Sequence, residues 1–351
     1  MSHPTDTLFL SAGAMAQLVQ RRGLSATIAG IAERIAADYR RWADFDTSAR
    51  VACHARQGVV ELMPIADAAQ FSFKYVNGHP GNPRLGLPTV MAFGVLADMA
   101  TGTPRLLAEL TLTTAIRTAA TSALVARHLA RPGSRVMALI GNGAQAEFQA
   151  IAMRDLVGVT TLRLFDTDPR ATAKLVANLT GSGLVLQVCT STAEAVQGAD
   201  IVTTVTADKT NATILTPGLV QPGMHINAVG GDCPGKTELH PGVLQAASVF
   251  VEYAPQSRIE GDVQQMPADF PVTELWQLLT GAHPGRRSAT EVTVFDSVGF
   301  ALEDFAALHH VHALALALGI GERIALVPHL ADPKNLFGLL GAVQAPVPQA
   351  A

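Results

Sequence analysis

The rhythm of apolar and polar positions changes near residue 130. A helix is expected over Leu24–Phe45, and short alternating runs follow at Val59–Met63, Phe71–Val76, Thr89–Leu96 and Pro104–Leu110. Turn residues separate these runs, among them Asn77-Gly78 and Gly81-Asn82-Pro83. The spacing predicts an antiparallel sheet, not a βαβ series. A helix rich in Thr and Ala is then expected from Leu112 to Leu129, stopped by Arg131-Pro132-Gly133.

From Ser134 onward, predicted strands alternate with helices, at 135–140, 162–166, 183–189, 201–206, 224–230, 249–253 and 292–297. Such alternation predicts a doubly wound parallel sheet, with ligands at the carboxyl ends of its strands. An apolar helix over Ala301–Leu318 should pack back on one of the two units, and the last 30 or so residues return to the first. The tail Ala345–Ala351 reads as disordered. The fold class is therefore α/β: a Rossmann-type doubly wound parallel sheet plus an α+β unit with a largely antiparallel sheet. The expected division is 1–125, completed by 320–351, and 126–319.

One segment carries chemistry on its own. Val136–Ile140 reads as a buried strand running into Gly141-Asn142-Gly143-Ala144-Gln145-Ala146, a G-x-G-x-x-A turn before a helix. A second strand, Leu162–Phe165, ends at Asp166, about 25 residues after the first glycine. This is the dinucleotide-binding fingerprint in its required context. Gly141 permits the tight turn, Gly143 lets backbone approach a pyrophosphate, and Ala146 lets helix and strand pack closely. The helix start offers free N–H groups to phosphates. Asp166 would accept from the adenosine ribose hydroxyls, which favours NAD over NADP, although nearby Arg170 softens that preference.

Composition narrows the function classes. A hydrophobic share of 48% against 15% charged residues marks a compact globular chain, and a net charge of -4 offers no nucleic-acid-binding surface. No apolar run reaches membrane-spanning length, and no basic segment with a signal-like core opens the chain. Cys53, Cys189 and Cys233 stand far apart, which suits a reducing cytoplasm. His309, His310 and His312 lack a third ligand at usable spacing, so no metal site is expected.

The loops after the predicted strands hold the candidate residues: Thr206-Ala207-Asp208-Lys209, Gly231–Leu239 and Ser297-Val298-Gly299. Asp232, set among glycines near a nicotinamide, fits a proton acceptor from an amine or water. It equally fits an Asx-turn residue before Pro234. The first unit adds Arg50, Glu61, Lys74 and Arg117. Lys74 and Glu61 sit in apolar strands, where charge is costly unless paired or facing a cleft. Arg117 lies in an otherwise Thr-, Ala- and Ile-rich helix and calls for an anionic partner, such as a substrate carboxylate or cofactor phosphate. Each charge could instead simply face solvent.

Several runs together resemble the ornithine cyclodeaminase/mu-crystallin family. They are Ser48–Val51, Val60–Pro64, Phe73–Pro80, Ala115–Ser122, Ile140–Gln145, Asn227–Leu239 and Val294–Ala301. Lys74–Pro80, Gly230–Pro234 and Arg258–Gln265 resemble its cyclodeaminase branch in particular. The resemblance implies conversion of L-ornithine to L-proline and ammonia with a tightly held NAD. Oxidation at the α-carbon, attack by the side-chain amine, loss of ammonia and return of the hydride leave no net redox change. It implies Asp232 as catalytic acid/base, Glu61 as an active-site acid, and Arg50, Lys74 and Arg117 as holders of the substrate carboxylate. Val298 matches a residue touching substrate. Thr89, Ala144, Gln145, Asp166, Thr206, Val229, Gly230, Gly231, Lys236 and Ser297 match cofactor contacts, beside Gly141 and Gly143 of the turn. Arg117 and Asp232 stand within reach of both ligands. A homodimer, with first-unit strands pairing across the interface, is implied too.

The same residues fit other reactions. A ketimine reductase or amino-acid dehydrogenase of the family would consume or accumulate NAD(P)H. A lysine cyclodeaminase differs by one methylene, worth roughly 1–3 kcal/mol of discrimination. A non-enzymatic NAD(P)-binding protein would bind cofactor without turnover.

Overall fold

A computed structural model describes residues 6–207 and 213–341. Asp208, Lys209 and the tail from Ala345 lie outside the described residues. The first half opens with β1 (Thr7–Leu10), α1 (Ala12–Arg22) and α2 (Leu24–Arg40). It continues with β2 (Asp46–Thr47), β3 (Val51–Ala55), β4 (Gly58–Ala66), β5 (Gln70–Gly78), β6 (Ala92–Asp98), β7 (Pro104–Glu109) and α3 (Thr111–Leu129). Two expectations need correction. The helix from Leu24 ends at Arg40, followed by a 3-10 turn at Trp42–Asp44. Trp42 packs against Tyr253 and Phe300, and Phe45 edge-on to Phe305, so distant aromatic residues rather than helical spacing place these two side chains. The strand expected from Thr89 begins at Ala92, which leaves Thr89 in the preceding loop.

The second half runs β8 (Val136–Ile140), α4 (Ala146–Ala152), β9 (Thr161–Phe165), α5 (Pro169–Leu179), β10 (Val185–Val188), α6 (Thr192–Val196) and β11 (Ile201–Thr204). Then come β12 (His225–Ala228), α7 (Pro241–Gln245), β13 (Ser248–Val251), α8 (Ala254–Glu260), β14 (Thr273–Glu274), α9 (Leu275–Leu279) and β15 (Thr293–Asp296). The strand order is β10-β9-β8-β11-β12-β15-β13-β14, every pair parallel. The order reverses beside β8, the point where such sheets open a ligand crevice. β11, β12 and β15 are buried on both faces, as parallel strands between helix layers are.

The chain then returns. α10 (Ala301–Leu318) packs on α2 and across β4, β5 and β6, and β16 (Glu322–Ile324) pairs antiparallel with β1. With β1 parallel to β7, the first sheet reads β16-β1-β7-β6-β5-β4-β2, and β3 also pairs with β4. Apart from the β1–β7 pair this sheet is antiparallel. The first two turns of α10, Ala301 through Leu308, are wholly buried, and Glu303 and Asp304 are the charged residues among them. It ends at Gly319 in the left-handed region, φ 63°.

Candidate active site

The fingerprint turn takes the form its residues predict. Gly141 has φ 93°, and a Cβ there would lie 2.7 Å from the Val205 carbonyl oxygen. Gly143 and Ala144 are exposed, and a Cβ on Gly143 would meet nothing within 4 Å, which leaves room for a diphosphate against the backbone. Ala146 is fully buried against the sheet. Gln145 keeps a buried Oε1 without a partner. Asp166 accepts from the Asn142 N–H at 2.6 Å and the Asp168 N–H at 2.8 Å, so it braces the turn from the next strand end. Arg170 points outward and contacts Asp168 at 3.3 Å. The turn and Asp166 fit a dinucleotide.

Carboxylates lash the neighbouring strand-end loops together. Glu238 accepts from the Thr206 N–H and hydroxyl and, at 3.0 Å, from the Gly230 N–H. Lys236 donates to the Thr206 carbonyl at 3.0 Å and to Asp232 at 3.1 Å. Asp262 accepts from the N–H groups of Glu238 and Leu239, and Asp296 from those of Asp262 and Val263. Glu252 accepts from the Ser297 hydroxyl at 2.7 Å and from the N–H groups of Val298 and Gly299. Burial pushes Asp262 up to about 7 and raises Glu252 and Asp296, in the case of Asp296 with further push from Asp262. Val229 and Gly231 are buried in this frame, while the Asp232 side chain is about half exposed (52%).

The first-sheet cations meet the frame at residues 298–304. Arg50 donates from Nη2 to the carbonyls of Val298 and Gly299, both at 2.6 Å. Its Nη1 donates to Glu61 at 2.9 Å, and its Nε lies 3.1 Å from Glu260. Gln256 ties both ends of this contact, accepting from the Arg50 N–H and donating to the Gly299 carbonyl. Arg117 pairs with Glu303 at 2.7 Å and Asp304 at 3.0 Å, and Lys74 with Asp304 at 2.7 Å. Gly299, at φ 73°, allows this approach: a Cβ there would sit 2.6 Å from Arg117 Nη1. Burial lowers the Lys74 ammonium to about 8, and Arg117 adds to that shift. Burial, then repulsion by Glu252, lifts Glu303 to about 8.

Asp232, Lys236, Arg50, Glu61, Val298, Ser297, Thr206 and Gly230 thus belong to one chain of contacts, and Lys74 and Arg117 join it through α10. Thr89 stands apart, in the loop before β6: its carbonyl accepts from the His79 N–H at 2.9 Å and from the Asn77 side-chain amide at 3.5 Å. The anions that pair with Arg117 and Lys74 are protein carboxylates. Sequence reasoning missed Glu252, Glu260, Asp262, Asp296, Glu303 and Asp304. Four of them had a local sign: an acid at the end of an apolar strand, as in Phe250-Val251-Glu252 and Phe295-Asp296, or inside an apolar helix start, as in Leu302-Glu303-Asp304-Phe305.

Comparison with known proteins narrows the class. An ornithine cyclodeaminase of Brucella suis biovar 1 (strain 1330) is 54% identical over 332 residues, 95% of this chain and 93% of the relative. A lysine cyclodeaminase, solved to explain recognition of L-lysine, L-ornithine and L-2,4-diaminobutyric acid, superposes with TM-score 0.88 at 31% identity. That match covers 93% of this chain and 97% of the other. An archaeal alanine dehydrogenase dimer with bound NAD superposes with TM-score 0.84 at 29% identity, covering 92% and 100%. Residues 14–318 match the family profile itself, and the chain belongs to the ornithine cyclodeaminase/mu-crystallin family.

Proposed function

We propose that this protein is an ornithine cyclodeaminase, a lyase that converts L-ornithine to L-proline and ammonia with NAD as a recycled cofactor. The observation that carries this reading is the junction of two sets of groups. Asp232 and Lys236 stand on the NAD-side loops, and Arg50, Glu61, Lys74 and Arg117 converge on residues 298–304 beside them. NAD, when bound at the Gly141–Ala146 turn, supplies a hydride acceptor for the α-carbon and the hydride donor for the closing reduction.

The chain's own residues do the rest. Thr89, Ala144, Gln145, Asp166, Thr206, Val229, Gly230, Gly231, Lys236 and Ser297 hold the cofactor. Lys74 and Arg117, which share Asp304, receive the substrate carboxylate, with Arg50 ordering the wall of the pocket that carries Val298. Asp232 takes a proton from the α-ammonium, so that the nitrogen lone pair can support hydride loss, and returns one to the departing ammonia. Glu61 stands as a second acid at the amine end. A buried wall keeps water from the imino acid and holds the side chain curled for ring closure.

The same reading divides the chain into a substrate-binding and dimerisation unit, 1–125 with 320–351, and an NAD-binding unit, 126–319. It makes the protein a cytoplasmic homodimer. Supporting the dimer is an exposed apolar row on the first sheet: Val51, Leu62 and Phe93, with Tyr75 stacked on Phe93 at 5.0 Å. Supporting the compartment are three free cysteines.

The test is purified protein with L-ornithine and no added NADH. Proline and ammonia should form in equal amounts without net change in NADH absorbance. Stoichiometric NADH accumulation would make the protein a dehydrogenase, and faster turnover of L-lysine run in parallel would change the substrate.

A further inference from the structure

Each cation lining the crevice has a carboxylate at hand: Lys236 has Asp232, Arg50 has Glu61, Lys74 has Asp304 and Arg117 has Glu303. The buried acids without a cation, Glu238, Glu252, Asp262 and Asp296, accept backbone N–H groups instead. Among the described residues, Glu260 accepts no backbone N–H group and only shares a cation, Arg50, with Glu61. It is the last residue of α8, is 3% exposed, and its Oε2 has no hydrogen-bond partner. Its ionic contact is with Arg50 Nε, on a guanidinium already engaged by Glu61 and two carbonyls. Glu61 itself keeps a buried Oε1 without a partner. The charged groups facing Glu260 are Arg50, Glu61 and Asp232. Burial pushes its carboxyl up to about 7; Arg50 pulls the other way, and the two acids add to the rise. A buried carboxylate short of donors is stabilised by an incoming cation. L-ornithine brings such a cation at its side-chain end. The segment Arg258–Gln265, which has no role in the reaction as described above, supplies the receiver.

We infer that Glu260 is a catalytic residue of ring closure, binding the side-chain ammonium of the diamino acid and taking one proton from it. This rests on the cyclodeaminase reading. An N–H bond of the ammonium breaks toward the Glu260 carboxylate, and the freed lone pair forms the new C–N bond at the α-carbon of the imino acid. The ring nitrogen, now cationic, gives up a proton. The α-nitrogen takes one up, its bond to the α-carbon breaks, and it leaves as ammonia. The cyclic imine that remains accepts the returning hydride. Asp232 serves the α-nitrogen, and Glu260 takes the proton of the side-chain nitrogen, with Glu61 beside it on the same Arg50 guanidinium.

The test compares L-ornithine with L-norvaline, an analogue lacking the side-chain amine, on NAD-loaded protein. Glu260→Gln should weaken ornithine binding by roughly tenfold or more, as loss of a charged hydrogen bond does, and leave norvaline within about twofold. Proline formation should fall with it, and Glu260→Asp should retain part of both. Equal weakening of the two ligands would reduce Glu260 to a support for Arg50, and unchanged ornithine binding would remove it from the site; either result overturns the inference. Should Glu260→Gln fail to fold, Glu260→Asp carries the same ligand comparison. A wild-type protein that makes no proline overturns the cyclodeaminase reading as well, whereas variants that fail to discriminate overturn this step alone.

Discussion

The two rims of the crevice hold their charges in different ways. On the NAD side, Glu238, Asp262, Asp296 and Glu252 accept mostly backbone N–H groups, and each fixes one strand-end loop to the next. On the substrate side, Arg50, Lys74 and Arg117 pair with the side chains of Glu61, Glu303 and Asp304. A backbone donor cannot leave its acceptor without moving the chain. A side-chain pair can open and re-form around an arriving charge. The NAD-side rim is therefore a frame, and the substrate-side rim is a set of exchangeable contacts suited to a ligand with one carboxylate and two amines.

Asp232 lies where the rims meet and gives the sharpest test. Its side chain is about half exposed and pairs with Lys236, which also holds the Thr206 carbonyl. Asp232→Asn keeps the shape and removes the proton acceptor. Turnover of ornithine should fall by roughly a hundredfold or more, as loss of a general acid/base does, while NAD binding persists. A variant with normal turnover would make Asp232 a turn residue ahead of Pro234. A variant that loses NAD would place it in the frame.

Lys74 probes the exchangeable rim through pH. Burial lowers its ammonium from 10.5 to about 8. If Lys74 receives the substrate carboxylate as proposed, that cation is lost as pH rises through about 8, and KM for ornithine should climb by up to roughly tenfold per pH unit above it. The sign for stability is opposite. Between about 8 and 10.5 the unfolded chain binds more protons at this residue, so its contribution to stability rises with pH across that window. Lys74→Arg stays charged throughout and should flatten the KM profile. A KM that is flat in the wild type would remove Lys74 from carboxylate binding.

How much of this was legible in the sequence depends on the range of the interactions. The Gly141–Ala146 turn, its strand and Asp166 lie close together in sequence, and periodicity finds them directly. Helix α10 was legible too, because apolar residues dominate the run from Ala301 to Leu318 and a glycine stands at 319. β1 was not: its four residues become a strand only by pairing with Leu106–Ala108 and Glu322–Ile324, far along the chain. The same holds for the site. Arg117 signalled a need for an anion, but Glu303 is 186 residues away, and no spacing rule connects them. Strand-end acids such as Glu252 and Asp296 look like surface residues until the loops that donate to them are in place.

Asp166 gives the smallest effect and tests the frame from its outer end. Both of its oxygens accept backbone N–H groups, from Asn142 and Asp168, so the residue has a structural role before any cofactor arrives. Asp166→Ala removes two acceptors and should cost about 1–2 kcal/mol of stability, read by thermal denaturation. It also removes the negative charge that a 2′-phosphate would meet. Arg170, whose side chain is 92% exposed and contacts Asp168 at 3.3 Å, stands close enough to supply a cation to that phosphate. The ratio of NADP to NAD affinity should rise by about tenfold or less, while the turnover of NAD-loaded protein changes little. If the ratio stays fixed and only the melting temperature falls, Asp166 is a brace and nothing more. The frame would then have no part in choosing the cofactor, and that choice would have to come from the outward groups beyond Gly143.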